Sequence, residues 1–104
     1  MTQEEKIRYE EMAKVSKALA HPSRLFIIHK LAEQEYCVQD LTKMIGVDIS
    51  TVSKHLAILH NAGIIAKEKR GNCIYYSLLT KCVLNIFSCV INVIEANKEK
   101  INRI

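Results

Sequence analysis

A chain of 104 residues holds enough material for one small domain and not two. Its 49% apolar content supplies a core, and its net charge of +4 suits nucleic acid as a partner without requiring it. One Pro and three Gly argue against a turn-rich β-sandwich. No stretch approaches the ~18 apolar residues of a membrane span, and the charged start "MTQEEKIRYEE" lacks a signal-peptide core, so a cytoplasmic protein without membrane contact is expected.

Residues 4–20 place Ile7, Met12, Val15, Leu19 and Ala20 at loose helical spacing. His21-Pro22 interrupts that pattern. Pro22 suits the first position of a second helix, where its missing N–H is no loss. Leu25, Ile28, Leu31 and Ala32 continue at helical spacing. A short third helix follows from Val38, Leu41, Met44 and Ile45, closed by Gly46, and Asp48 is placed to cap a fourth helix from Ile49 to Ala62. Its apolar residues Val52, Leu56 and Leu59 share one face.

The period then changes. Two β-prone runs flank Gly71-Asn72, which predicts a tight hairpin with Ile74, Tyr76 and Leu78 on one face of its second strand. The last segment, residues 80–101, is apolar on more than one side. Val83, Phe87, Val90 and Ile94 form one stripe, and Cys82, Ile86, Cys89 and Val93 a second. A surface helix needs one stripe of about 100°. The surplus predicts a homodimer paired through the terminal helices, with Val83, Phe87, Val90 and Ile94 at its interface.

The order of elements is helix, helix, short helix, turn, helix, hairpin, long helix. It predicts a single winged helix-turn-helix domain over residues 1–104, mainly α with a β-hairpin wing (α+β). The helix-turn-helix occupies 38–62, the wing 64–78 and the dimerisation helix 80–101. The fourth helix offers Ser50, Thr51, Ser53, Lys54 and His55 in its N-terminal part. Short hydroxyls permit close approach to DNA, Lys54 adds charge, and a helix N-terminus favours anions. His55 has a rival role in packing the helix. Lys67, Lys69, Arg70 and Asn72 cluster at the hairpin tip with one acid, Glu68. A protruding basic hairpin suits a phosphate backbone or a minor groove. Double-stranded DNA is therefore the expected partner. RNA is not, because the six aromatics include none on an exposed sheet.

The blocks "ALAHPSRLFIIHKL", "EYCVQDL", "STVSKHLAILHNAGII" and "KRGNCIYYSL" together resemble the ArsR/SmtB family of metal- and metalloid-responsive repressors over residues 13–79. The resemblance implies a dimeric winged helix-turn-helix repressor that leaves a two-fold operator when an inducer binds. It makes the fourth helix the recognition helix. Arsenic-type members carry three cysteines in the block matching "EYCVQDLT" and bind As(III) or Sb(III) there. Here that block keeps Cys37, with Gln39 and Thr42 in the other two places. At the family's zinc-site positions on the last helix stand Thr80, Cys82, Val93 and Ala96, of which only Cys82 can bind metal.

Cys37, Cys82 and Cys89 are the candidate sensing residues, with As(III), Sb(III) or another soft metal as inducer. Cys37 leads, because a helix N-terminus favours the anionic form of a thiol. Cys82 and Cys89, seven apart on one helix, stand about 10 Å apart at 1.5 Å per residue and cannot bond each other. A thiol redox switch, cysteines that only pack, and an interaction module or heterodimer partner without an inducer stay open. No Gly-rich phosphate loop, metalloprotease motif or nucleophile elbow occurs, so an enzyme is not expected.

Overall fold

Three of the helices begin where the sequence supplies a side-chain cap. In α1 (Gln3–Leu19) Thr2 and Glu5 form a reciprocal box: the Glu5 N–H donates to Thr2 Oγ1 at 3.1 Å and the Thr2 N–H to Glu5 Oε1 at 2.9 Å. Pro22 opens α2 (Pro22–Glu33) behind His21, whose Nδ1 accepts the Ser23 N–H at 3.0 Å. α3 (Val38–Ile45) ends on Gly46 at φ 82°, a left-handed conformation that strains any residue with a Cβ. Asp48 then caps α4 (Ile49–Asn61). The computed structural model describes residues 1–102. Besides these helices it contains β1 (Tyr36–Cys37), β2 (Ile65–Arg70), β3 (Cys73–Leu78) and α5 (Val83–Asn102).

The sheet has the order β1-β3-β2 and is antiparallel throughout. Strands β2 and β3 are the expected hairpin, in register from Ile65 opposite Leu78 to Arg70 opposite Cys73. β1 was not foreseen. It pairs Tyr36 with Tyr76 and Cys37 with Tyr75, which fastens the start of α3 to the base of the wing.

The core lies between α2, α4 and the sheet. Ile27, Ile28, Leu41, Val52, Leu56 and Leu59 have no exposed surface, and Ile65 and Tyr76 close the sheet side. Each buried Leu or Ile contributes about 1.5–3 kcal/mol. This core holds the helix-turn-helix and the wing as one unit.

Helix α5 departs from expectation in two ways. It starts at Val83 rather than residue 80, because residues 80–85 form a tighter turn: the Val83, Leu84 and Asn85 N–H groups donate to carbonyls three residues back. Its inner stripe also belongs to this domain. Val83 is 6% and Phe87 8% exposed, so neither is free for a partner, whereas Val90 and Ile94 are half exposed. The outer face of α5 (Ile86, Val90, Ile91, Val93, Ile94) and the α1 residues Ile7, Met12 and Val15 all face solvent. The chain exposes 7557 Å², where a monomer of its mass exposes about 6,000 Å². The radius of gyration, 16.4 Å, also exceeds the roughly 13 Å of a compact 104-residue domain.

Candidate nucleic-acid interface

The turn between α3 and α4 ends at Asp48, and this carboxylate organises the start of α4. It accepts the Thr51 N–H at 3.1 Å, the Thr51 hydroxyl at 2.7 Å and the Ser50 hydroxyl. The Ser50 hydroxyl bond, then the two Thr51 bonds, hold the Asp48 carboxyl at about 2. Two consequences follow for the exposed start of α4. Ser50 and Thr51 spend their hydroxyl protons on Asp48 and offer lone pairs outward. The positive end of the helix is already met by a carboxylate, so the anion attraction expected at this N-terminus is offset by the chain's own charge.

Ser50, Ser53, Lys54 and Ala57 form the exposed face of α4, at helical spacing i, i+3, i+4 and i+7. Thr51 is half-buried beside them. Ala57 was missed by reading residue chemistry alone; its spacing from Ser50 could have found it. Its methyl is the kind of group that meets a thymine methyl in a major groove. Val52, Leu56 and Leu59 turn inward as expected.

His55 is not on the exposed face. It is 8% exposed, its ring centroid lies 4.3 Å from that of His21, and its Nδ1 stands 3.3 Å from Arg24 Nη1. Burial first, then His21 and Arg24, push its pKa below the ordinary imidazole value. The packing role therefore replaces the DNA-contacting one. Position 55 lies between the inward positions 52 and 56 and the outward position 54, and the α1–α2 corner draws its ring inward.

In the wing, Lys67, Lys69 and Asn72 are exposed near the tip. Arg70 is exposed but engaged. Its Nη1 donates to Glu35 Oε2 at 2.8 Å, its Nη2 to Glu35 Oε1 at 3.3 Å and to Glu68 Oε2 at 2.9 Å. The guanidinium also lies 5.0 Å from the Tyr75 ring centroid. Hydrogen bonds from Glu35 and then Glu68 raise its pKa above the usual range. Register explains the arrangement: Glu68 and Arg70 share the face of Tyr75 and Cys73, while Lys67 and Lys69 share that of Tyr76 and Ile74. Among the described residues the hairpin's free cations are Lys67 and Lys69, not all three expected.

The cysteines do not gather. Cys37 is 7% exposed, and its thiol donates to Asp40 Oδ2 at 3.1 Å. This is not the accessible thiol expected of a sensor. Cys73 is half-buried. Cys82 is exposed in the turn before α5, so it does not share a helix with Cys89, which is exposed on α5 itself. Among the described residues no three His, Cys, Asp or Glu side chains are grouped to hold a metal ion. A three-thiolate site for As(III) from Cys37, Cys82 and Cys89 therefore does not fit one chain in this conformation. No helix among these residues is long and apolar enough to cross a membrane.

Comparison with known proteins agrees with this geometry. The family described as bacterial regulatory protein, arsR family, matches residues 21–67, from the start of α2 into the wing. A cadmium resistance transcriptional regulatory protein CadC homolog from Staphylococcus aureus is 42% identical over 69 residues, 65% of this chain and 57% of that protein. The match thus spans little more than half the length of such relatives. The crystal structure of the transcriptional repressor BigR from Xylella fastidiosa is 30% identical, with a TM-score of 0.72 over 89% of this chain and 96% of that one. A solution structure of the homodimeric winged helix-turn-helix DNA-binding domain Mb0332 from Mycobacterium bovis is 27% identical. It superposes with a TM-score of 0.79 over 96% of this chain and 93% of that one. The named relatives are regulators of transcription and not enzymes. With the order of helices, the three-stranded sheet and the exposed face of α4 all in place, this chain belongs to the arsR family of bacterial regulatory proteins.

Proposed function

We propose that the protein is a dimeric transcriptional repressor that lays α4 in the major groove of operator DNA and the wing against the flanking backbone. The observation that carries this reading is the outward face of α4, where Ser50, Ser53, Lys54 and Ala57 stand clear of the core beside a hairpin bearing Lys67 and Lys69. Ser50 and Ser53 keep the helix slim, Lys54 supplies charge, and the two wing lysines and Asn72 hold the backbone.

The second copy pairs through α1 and the outer face of α5. Excess exposed area, the exposed Val90 and Ile94, and a groove of about 420 Å³ lined by Leu19, Leu25, His29, Phe87, Val90 and Ile94 support that pairing. A stable interface needs about 800 Å² from each partner, which the surplus surface supplies. Two copies then present two recognition helices about one DNA turn apart.

Release is assigned to a thiol-directed signal, a soft metal ion or an oxidant. Cys82 and Cys89 support it, since both are exposed at the element that carries the pairing face. The cadmium-resistance name of one relative favours the soft-metal form. Among the described residues of one chain no metal site is assembled, so a multi-thiolate site would draw on both copies.

The test is selection of duplexes from a random-sequence pool at pH 8, followed by fluorescence anisotropy. A two-fold symmetric site, bound with a steep salt slope and weakened by Lys54→Ala, is the expected result. Enrichment of no sequence would overturn the DNA reading in favour of a protein-interaction module. Adding stoichiometric As(III) or Cd(II), and separately a thiol oxidant, to wild type and to a Cys82→Ser/Cys89→Ser variant tests the signal. Release confined to wild type is expected.

A further inference from the structure

At the corner where α1 meets α2, two imidazoles and a guanidinium join three helices. Arg24 Nε donates to the Ala18 carbonyl at the end of α1, at 2.7 Å. The same side chain reaches His55 on α4, with Nη1 3.3 Å from Nδ1. His21 packs its ring against that of His55, tilted by 47°, and uses its own Nδ1 to accept the Ser23 N–H. A guanidinium can only donate. His55 Nδ1 is therefore an acceptor, as is His21 Nδ1, so both rings are neutral with their protons on Nε2. Protonating either Nδ1 removes an acceptor that the corner uses and sets a cation beside Arg24.

We propose that Arg24, His21 and His55 form a proton-sensitive latch that positions the recognition helix relative to α1, so that acidification loosens α4 and releases DNA. The proposal rests on the DNA-binding reading and adds a mode of regulation to it. Arg24 and His55 are positioning residues, since neither lies on the outward face of α4.

The charged surroundings favour this direction. On α2, His21 and Arg24 act on His55, and both are cationic when charged; α3 and β2, which also pack on α4, add no charged group to it. α1 contributes the Ala18 carbonyl through Arg24, and Lys54 on α4 itself is exposed. No carboxylate among these groups compensates an imidazolium. Because His55 is lowered from 6.5 in the folded chain, the unfolded chain binds more protons below that value. The latch is complete above pH 6.5 and is lost as the pH falls toward the lowered folded value.

General electrostatics predicts the opposite trend. Acid makes a protein's net charge more positive and so tightens non-specific binding to DNA. The direction of the pH effect therefore separates the two accounts.

The experiment titrates the full chain from pH 8 to 5 with two readouts. One is anisotropy with a fluorescein-labelled duplex selected at pH 8. The other is imidazole ¹⁵N NMR, which reports tautomer and protonation without DNA. Wild type is expected to show both rings as Nε2–H at pH 8 and to lose affinity by about tenfold in acid, a usual size for coupled sites. His55→Gln and His21→Asn, which keep an acceptor but cannot take a proton, are expected to remove most of that loss. Asn is a good N-cap, so His21→Asn stays informative if His55→Gln folds poorly. Affinity that rises in acid, equal pH profiles for wild type and His21→Asn, or an Nδ1–H tautomer at pH 8 overturns the latch. Enrichment of no duplex at pH 8 would sink the DNA reading instead. The NMR readout then decides the latch alone: loss of the Nε2–H tautomers together with a shift of α4 amides supports it, and unmoved α4 amides overturn it.

Discussion

Arg70 at the end of β2 holds Glu35, immediately before β1, with both terminal nitrogens, at 2.8 and 3.3 Å. The pair joins residues 35 apart in sequence and neutralises the wing cation that stands closest to Asn72 in the turn. Removing this acid leaves Arg70 paired with Glu68 and so frees it in part. Glu35→Gln is expected to tighten DNA binding and to steepen the log-log salt slope by up to about one unit. Lys67→Ala or Lys69→Ala should make the slope shallower by a similar amount, and Arg70→Ala by much less. A salt titration of the four variants measures this; an Arg70→Ala effect as large as that of either lysine would show that Arg70 leaves Glu35 on the duplex.

Asp48 sets an acid limit on α4. Its carboxyl sits at about 2, against an ordinary 3.8. Between those values the unfolded chain binds more protons, so the cap is intact above about pH 4 and lost as the pH falls toward 2. Asp48→Asn keeps a capping oxygen and should flatten this part of the stability curve. It also removes a negative charge from the face proposed to meet DNA, so its affinity should rise. Asp48→Ala loses the cap and should lower Tm by several degrees. Thermal melts at pH 2–5, followed by circular dichroism, check the two stability effects, and anisotropy with a selected duplex checks the affinity.

The two sides of α5 should respond differently. Phe87→Ala removes a side chain that is 8% exposed and stacked edge-on against His29, with ring centroids 4.6 Å apart. A destabilisation of about 3–5 kcal/mol is expected in urea unfolding. Ile94→Asp, on the outer face, should leave the monomer folded but shift sedimentation equilibrium from dimer to monomer. A variant that stays dimeric would move the pairing surface elsewhere.

Thiol accessibility ranks the candidate sensors. With a thiol-specific reagent, Cys82 should react first and Cys37 only as the protein unfolds, because Cys37 is buried and bonded to Asp40. Cys89 adjoins Val90 on the outer face of α5. It should react slowly in the dimer and quickly in Ile94→Asp. Mass spectrometry of peptides labelled over time gives the order, and early labelling of Cys37 would restore it as the leading sensor.

Much of this architecture is local and was legible in the chain. Pro22 starts α2, Gly46 stops α3, Asp48 caps α4, and Gly71-Asn72 turns the hairpin. Each works within a few residues, where backbone preference and hydrogen bonding decide the outcome. The spacing of Val52, Leu56 and Leu59 likewise predicted the buried face of α4 and so its exposed opposite.

What tertiary structure decided depends on partners remote in sequence. A two-residue strand has no period, so β1 exists only because β3 offers it a free edge. Periodicity cannot say which stripe of a helix apolar on two sides faces inward; the core chose Val83 and Phe87 and left Val90 and Ile94 outside. Composition marks Arg70 and His55 as a cation and a polar ring, but their roles follow from Glu35 and Arg24, brought near by folding. Local sequence set the order of elements and their caps, because those interactions close within one turn of chain. The environment of each charged or ambivalent side chain was set by packing, because it depends on which distant groups share its volume.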